Sequence, residues 1–554
     1  MSADPAVPPA LRRTTLLLLS ASLALGIAYI SVLPPWEGFD ETAHHSYLQQ
    51  LVDSNQVPRR GASFLSRDVE DYAQRAPLPY DTRPARFTYR TFFEAPPGRV
   101  AAGRATIHNP PSSPRRYVAG ELVNWQQQHP PLAYLALAPV YLATAHLSWA
   151  AHLWSLRVAA YLVAWLSLAV AAAACATGAR ATAGIDRVRW QWALLGVSVW
   201  PFCFPAWFAD MARLGNDAFS AALVSGIWLI AVRCRERIVR MGPALMLGLL
   251  VGAGLLTKAF FIPVAAALAA YVCLDAGANQ SVSRRAAAIT VMFATAGAIA
   301  GWWYLENWQQ YYDLAASRRT DGLLNGLTSR FSVAALIRGH AALVATVAWP
   351  GSWSLARPPY LFFVPLGVLV LVSAGAYAAA LCRVGWPPVA RLPGWLLLAM
   401  LAVLAYYVWL RIAYIGEGRL AAGYYLHFLA GPLGAALGFG LSTWWGSPAF
   451  RRLLFGLVAY ALVFAAGISI AQLLLFTGVL TKSAQRFYEL GGPRPPQLAI
   501  TEMVERLSVL AYPWLGLMCW SIGAALLLLG LHHMRRFVDA PDSPMRHRRS
   551  DAVN

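Results

Sequence analysis

The chain is predicted to be an all-α polytopic membrane protein, and three observations predict it. Of its 554 residues, 58% are hydrophobic and only 13% are charged, whereas soluble domains carry about 25% charged residues. About twelve apolar stretches are long enough, at roughly 17 to 25 residues each, to cross a bilayer. The arginines fall on alternate connections between those stretches, as they do on the cytoplasmic side of membrane helices. A mean hydropathy of +0.47 agrees.

The first stretch, 14–33, follows Arg12-Arg13. Its length and its lack of a small-residue cleavage pattern predict a retained helix rather than a cleaved signal. The next spans are expected at 155–177, 191–208 and 217–233. Residues 243–276 are apolar but interrupted at Lys258 and Pro263, which predicts two short helices in a hairpin. Further spans are expected at 286–304, 360–382, 394–412, 421–441, 453–476 and 508–530. With both termini cytoplasmic, the inside connections hold Arg180 to Arg189, Arg233 to Arg240, Arg284-Arg285, Arg383 with Arg391, Arg451-Arg452 and the basic tail. That parity requires the apolar run Pro131 to Ala150 not to cross. Its Pro-Pro start, and the polar residues His146, Trp149 and His152 around its end, predict an interfacial helix instead.

The domain order expected is a cytoplasmic N-terminus 1–13, the first transmembrane helix 14–33 and an extracytoplasmic loop 34–154 with juxtamembrane helices. A transmembrane core 155–304, an outer loop 305–359, C-terminal transmembrane helices 360–531 with a third outer loop near 477–507, and a tail 532–554 complete it. No internal repeat of 20 to 50 residues is evident.

The net charge of +19 sits in short arginine clusters between apolar runs rather than along one soluble face. It therefore points to membrane lipids and not to nucleic acid. The six cysteines lie in or beside apolar runs without a C-x-x-C spacing, which predicts neither disulfides nor a cysteine-bound metal.

Charge beside lipid is costly, so carboxylates near a membrane boundary are candidates for function. Asp40 and Glu41 follow the first span directly, with His44 and His45 after them. Phe39 to Val52 reads as a helix with Asp40 and His44 on one face. A carboxylate there could take a proton from an acceptor hydroxyl, or merely complement a helix dipole. Asp40 and His44 have the spacing of a metal pair, so a divalent metal is possible, although two ligands make no site and no cofactor is firmly predicted.

His129, before Pro130-Pro131, is held extended and aimed away from the helix that follows. Asp210, Arg213, Asn216 and Asp217 occupy a tight turn on the side of Asp40. Lys258, one of two lysines among 45 basic residues, lies inside an apolar run. A buried ammonium wants an anion such as a phosphate, unless it snorkels to the interface. Arg419, flanked by Gly418, has the guanidinium fork that suits phosphate oxygens.

Taken in order, Phe39-Asp40-Glu41 with His44, His129-Pro130-Pro131-Leu132, Asn216-Asp217-Ala218, Leu256-Thr257-Lys258, Glu306-Asn307-Trp308 with Tyr311 to Asp313, and Gly418-Arg419 resemble landmarks of the GT-C superfamily of integral membrane glycosyltransferases. The likeness is to the protein-mannosyltransferase-like and aminoarabinose-transferase-like bacterial members. It implies a GT-C-like bundle in the bacterial inner membrane, a polyprenyl-phosphate sugar donor, and an acceptor that is protein, lipid or polysaccharide. It implies Asp40 and Glu41 at an extracytoplasmic catalytic centre and a basic residue on the donor phosphate, for which Arg419 and Lys258 are the candidates; His44, His129, Asp210, Asn216, Asp217 and Asn307 are the other residues expected to bind substrate. The chain departs from the pattern in reading Gly418-Arg419-Leu420 for Gly-Arg-Tyr and Glu306-Asn307 for Arg-Asn. Two other functions fit the same polar residues. One is a transporter or flippase relaying protons through the acids, and the other a non-catalytic factor in envelope polysaccharide assembly.

Overall fold

The computed structural model describes residues 6–77, 89–276, 278–314, 330–349, 360–382, 386–416, 422–443, 448–481, 489–490 and 497–539. Helices dominate these residues, and the β structure among them is two short antiparallel pairs. Among the described residues, six helices are long and apolar enough to cross a membrane: Pro9–Val32, Trp149–Arg180, Val282–Tyr311, Leu361–Leu381, Pro388–Ile415 and Pro513–Val538. Each of the other expected spans also has a helix.

In chain order the first helices are α1 (Pro9–Val32), α2 (Glu41–Ser54), α3 (Arg67–Arg75), α4 (Tyr89–Phe93) and α5 (Pro97–His108). There follow α6 (Leu132–Thr144), α7 (Trp149–Arg180), α8 (Gly184–Cys203), α9 (Ala206–Met211), α10 (Asp217–Arg233), α11 (Met241–Leu255), α12 (Phe261–Tyr271) and α13 (Val282–Tyr311). The strand β1 (Phe64–Ser66) pairs with β2 (Ala119–Val123) and closes the first loop on itself.

Three boundaries differ from expectation, each for a local reason. The span expected at 191–208 stops at Cys203, because Pro205 follows and α9 begins a separate short turn at Ala206. The stretch expected from 421 enters as a 3₁₀ segment, Gly423–Leu429, before the helix Ala430–Ser442. The last span starts at Pro513, after a break that separates it from the helix Ile500–Leu510. The run from Pro131 is α6, whose 13 residues rise about 20 Å, short of a hydrocarbon layer of about 30 Å.

Small residues let the long helices approach. Gly516, Gly523 and Gly530 of the last helix lie against Val32, Leu25 and Leu18 of α1, so that a Cβ would stand 2.6, 2.7 and 3.0 Å from them. The two helices therefore run antiparallel in close contact, as packing in lipid favours. Gly438 of the helix Ala430–Ser442 does the same against α8, where a Cβ would lie 2.0 Å from the Trp192 carbonyl oxygen. Around them, α7 and α8 pack on α1, α10 packs on α7, and the helix Ala430–Ser442 packs on α8.

Candidate active site

Pro34-Pro35 cannot continue α1, so the chain turns sharply before α2. The carbonyls of Leu33 and Pro34 accept bonds from Arg157 Nη1 and Nη2 of α7, at 2.6 and 2.8 Å. The same guanidinium donates Nε and Nη2 to the two oxygens of Glu41, at 2.8 and 2.6 Å. Glu41 also accepts the backbone N–H groups of Leu214 at 2.9 Å and Gly38 at 3.0 Å. One buried ion pair thus fastens the end of α1, the start of α2, α7 and the turn after α9. Gly38 is required there, because a Cβ would stand 2.4 Å from Glu41 Cδ and 2.6 Å from Arg213 Cβ.

Asp40 precedes α2 in the left-handed region, with φ 63°. Asp and Asn tolerate that region better than most residues. Its carboxylate makes no bond to the first turn of α2. Instead Oδ1 accepts from Trp125 Nε1 at 2.7 Å.

Across from Asp40 lies a closed charge cluster. Arg213 Nη2 bridges Asp210 at 3.0 Å and Asp217 at 2.6 Å, and Lys258 donates to the other oxygen of Asp217. Asn216 Nδ2 donates to the Thr257 carbonyl at 3.3 Å, holding the Lys258 turn against the start of α10. Burial, and then the charge of Asp217, push the Asp210 carboxyl above the usual carboxylate range. The Arg213 guanidinium lies 3.9 Å over the Phe39 ring. From Phe39 an aromatic wall runs through Tyr424 at 4.8 Å and Tyr425 at 4.7 Å to Phe260 at 5.0 Å. The Lys258 ammonium sits 4.9 Å from the Tyr425 ring and 5.2 Å from that of Phe260, so the wall joins the Asp40 and Lys258 segments.

His44 and His129 stack, with centroids 5.9 Å apart and planes within 14°. His44 Nδ1 lies 2.7 Å from the Tyr134 hydroxyl, and Tyr47 donates to the His129 carbonyl at 2.8 Å. Burial, and after it the charge of Arg213, hold the His44 imidazole well below its ordinary pKa. Burial, and then Lys258, lower that of His129 to about 3. Both rings are therefore neutral at pH 7. His45 faces the other way and meets His152, with Nε2 atoms 3.1 Å apart.

Of the residues singled out from the sequence, Asp40, His44, His129, Asp210, Asn216, Asp217 and Lys258 come together through these contacts. Glu41 lies beneath them, fully engaged. Asn307 is buried and donates to the Leu314 carbonyl at 3.1 Å, at the far end of α13. Its neighbour Glu306 pairs with Arg59 at 2.7 Å, and that guanidinium lies 4.7 Å over Trp303, tying α13 to the first loop. Arg419 lies outside the described residues. Among the described residues, no group of three or more His, Cys, Asp or Glu side chains is placed to hold a metal ion. Arg157 is the contributor missed from the sequence, although it had a signal as a single charge within a long apolar run. Trp125 belongs, with Trp36, Trp302 and Trp303, to the tryptophans expected from the sequence to stack on sugar or line a lipid groove, and its donation to a carboxylate had no signal.

No family model matches the chain, and no curated protein does. Among solved structures it is similar to ArnT from Cupriavidus metallidurans in the apo state, with 13% identity, a TM-score of 0.41, and coverage of 93% of this chain and 77% of that one. It is also similar to the oligosaccharyltransferase of Archaeoglobus fulgidus in the apo form, with 13% identity, a TM-score of 0.35, and coverage of 90% and 60%. A third similar structure is the Archaeoglobus fulgidus oligosaccharyltransferase AglB in complex with an inhibitory peptide and a dolichol-phosphate, with 12% identity, a TM-score of 0.36, and coverage of 90% and 60%.

Proposed function

We propose that the protein is a membrane glycosyltransferase that moves a sugar from a polyprenyl-phosphate carrier to an acceptor hydroxyl on the extracytoplasmic side. The observation that carries this reading is the state of the Asp40 carboxylate. Among the described residues it has no ion-pair partner, it is not spent on capping α2, and it stands beside an aromatic wall that leads to two cations. Asp40 acts as general base and takes the acceptor's proton. The acceptor oxygen bonds to the anomeric carbon as the bond from that carbon to the phosphate oxygen breaks, and the polyprenyl phosphate leaves as the anion.

Tyr424, Tyr425 and Phe260 offer ring faces for a pyranose and an isoprenoid. Arg213 and Lys258 supply positive potential for the departing phosphate, the preorganised stabilisation that usually dominates catalysis. Because Lys258 is held by Asp217, it reaches phosphate directly only by giving up that partner. Glu41 serves as a positioning residue, since all its acceptor capacity is taken by Arg157 and two backbone N–H groups. His44, His129 and Tyr134 supply neutral hydroxyl-binding groups along one wall.

The test supplies labelled polyprenyl-phosphate hexose and an acceptor extract to purified protein in lipid. Transfer by the wild type, with loss of at least about a hundredfold in Asp40→Asn, supports the reading. Full transfer by the variant removes Asp40 as base, and translocation of the lipid without transfer overturns the enzyme.

A further inference from the structure

An N-cap aspartate ordinarily spends its carboxylate on the free N–H groups of the first helical turn. Asp40 does not, and its backbone explains why. With φ 63° and ψ 5°, its own carbonyl accepts from Ala43 and His44 N–H at 3.1 and 3.0 Å, and its side chain is carried off the helix axis towards Trp125. A non-glycine residue held in this region costs free energy that the surroundings must supply.

The surroundings are rigid on the tryptophan side. Asn124, fully buried, donates Nδ2 to the Ala43 carbonyl at 3.0 Å and accepts from Gln126 N–H on Oδ1 at 2.9 Å. Its own N–H donates to the Ser63 carbonyl at 2.9 Å. Gln127 Oε1 accepts from Gly61 N–H at 2.9 Å, fixing the other end of the same turn. Asn124 thus ties the Trp125 turn to α2 itself, one turn from Asp40, and the indole N–H arrives at the carboxylate at 2.7 Å from a fixed origin.

We propose that Trp125 is a positioning residue for Asp40: its indole N–H pins Oδ1 so that Oδ2 faces the acceptor hydroxyl. The inference rests on the reading of Asp40 as general base. The terminal torsion of an aspartate is broad, and misplacing a reacting group by about 1 Å can cost a hundredfold. One fixed donor removes that freedom while leaving the second oxygen unoccupied.

The experiment separates the N–H from the ring. Benzothienylalanine, which replaces the indole N–H by sulfur and keeps the shape, is placed at position 125, alongside Trp125→Phe. Turnover should fall about tenfold, the worth of one hydrogen bond to a charged group, with the KM for the polyprenyl-phosphate hexose unchanged and the thermal midpoint lowered by no more than a few degrees. Wild-type turnover in the benzothienylalanine protein overturns the inference even if the Phe variant fails to fold. So does a loss confined to donor KM. A wild type that transfers nothing overturns the transferase reading instead, and the inference with it.

Discussion

Asp40 and Glu41 are neighbours in the chain, yet the second accepts four hydrogen bonds from a guanidinium and two backbone amides, while the first accepts one from an indole. The region around Glu41 is a closed clamp in which Arg157 and Glu41 match each other's charge. The region around Asp40 is open on one oxygen and bordered by aromatic faces. The difference teaches that donor count separates two acids that the sequence presents as a pair. A carboxylate with no acceptor capacity left stabilises the fold, and one with capacity to spare can take a proton.

The comparison breaks most sharply at the clamp. Arg157→Met leaves the Glu41 charge buried without a partner, which costs about 3–5 kcal/mol. Loss of monomeric protein in detergent, partly recovered in Glu41→Gln/Arg157→Met, is the expected outcome, measured by size-exclusion yield and thermal midpoint. An Arg157→Met protein as stable as wild type would show that the clamp is dispensable. Asp40→Asn should do the reverse, keeping the thermal midpoint within a few degrees while transfer falls by about 10² to 10⁴.

A third outcome concerns the wall opposite Asp40. The His129 imidazole is lowered to about 3 by burial and Lys258, so the folded protein leaves it neutral where the unfolded chain protonates it near 6.5. Its contribution to stability is therefore present above pH 6.5 and lost as pH falls from there towards 3. His129→Gln should reduce the slope of stability against pH in that window by up to about 1.4 kcal/mol per pH unit, read from denaturation midpoints between pH 4 and 7. An unchanged slope would place the ring in solvent. The smallest effect is expected at Glu306→Gln, where a partly exposed ion pair with Arg59 is worth at most about 1 kcal/mol. A larger loss of transfer than of stability in that variant would bring the end of α13 into the site.

Much of the fold was legible because its signals are local. Apolar runs of spanning length gave the helices, and Lys258 with Pro263 marked the break between α11 and α12. Prolines misled at the boundaries, as where Pro205 divides the span expected to reach 208. Most of the site was legible as charged or imidazole residues in an otherwise apolar chain. The roles within it were not, because Asp40 and Glu41 have the same sequence environment and differ in partners 80 to 170 residues away. Trp125 was legible only as a ring suited to stacking, since an indole that stacks and one that donates to a carboxylate are the same residue.

The sequence by itself determined the solvent: with so little charge and so much apolar length, the chain must satisfy its backbone within helices and bury its few ions against one another. Which ions meet was decided only by tertiary structure. Arg157 could pair with any acid until α7 was laid beside the end of α1, and Asp40 became the unpaired carboxylate because Glu41, one residue on, faces the guanidinium. Local periodicity sets a residue's face on its helix, whereas the partner it finds depends on how distant helices close on each other.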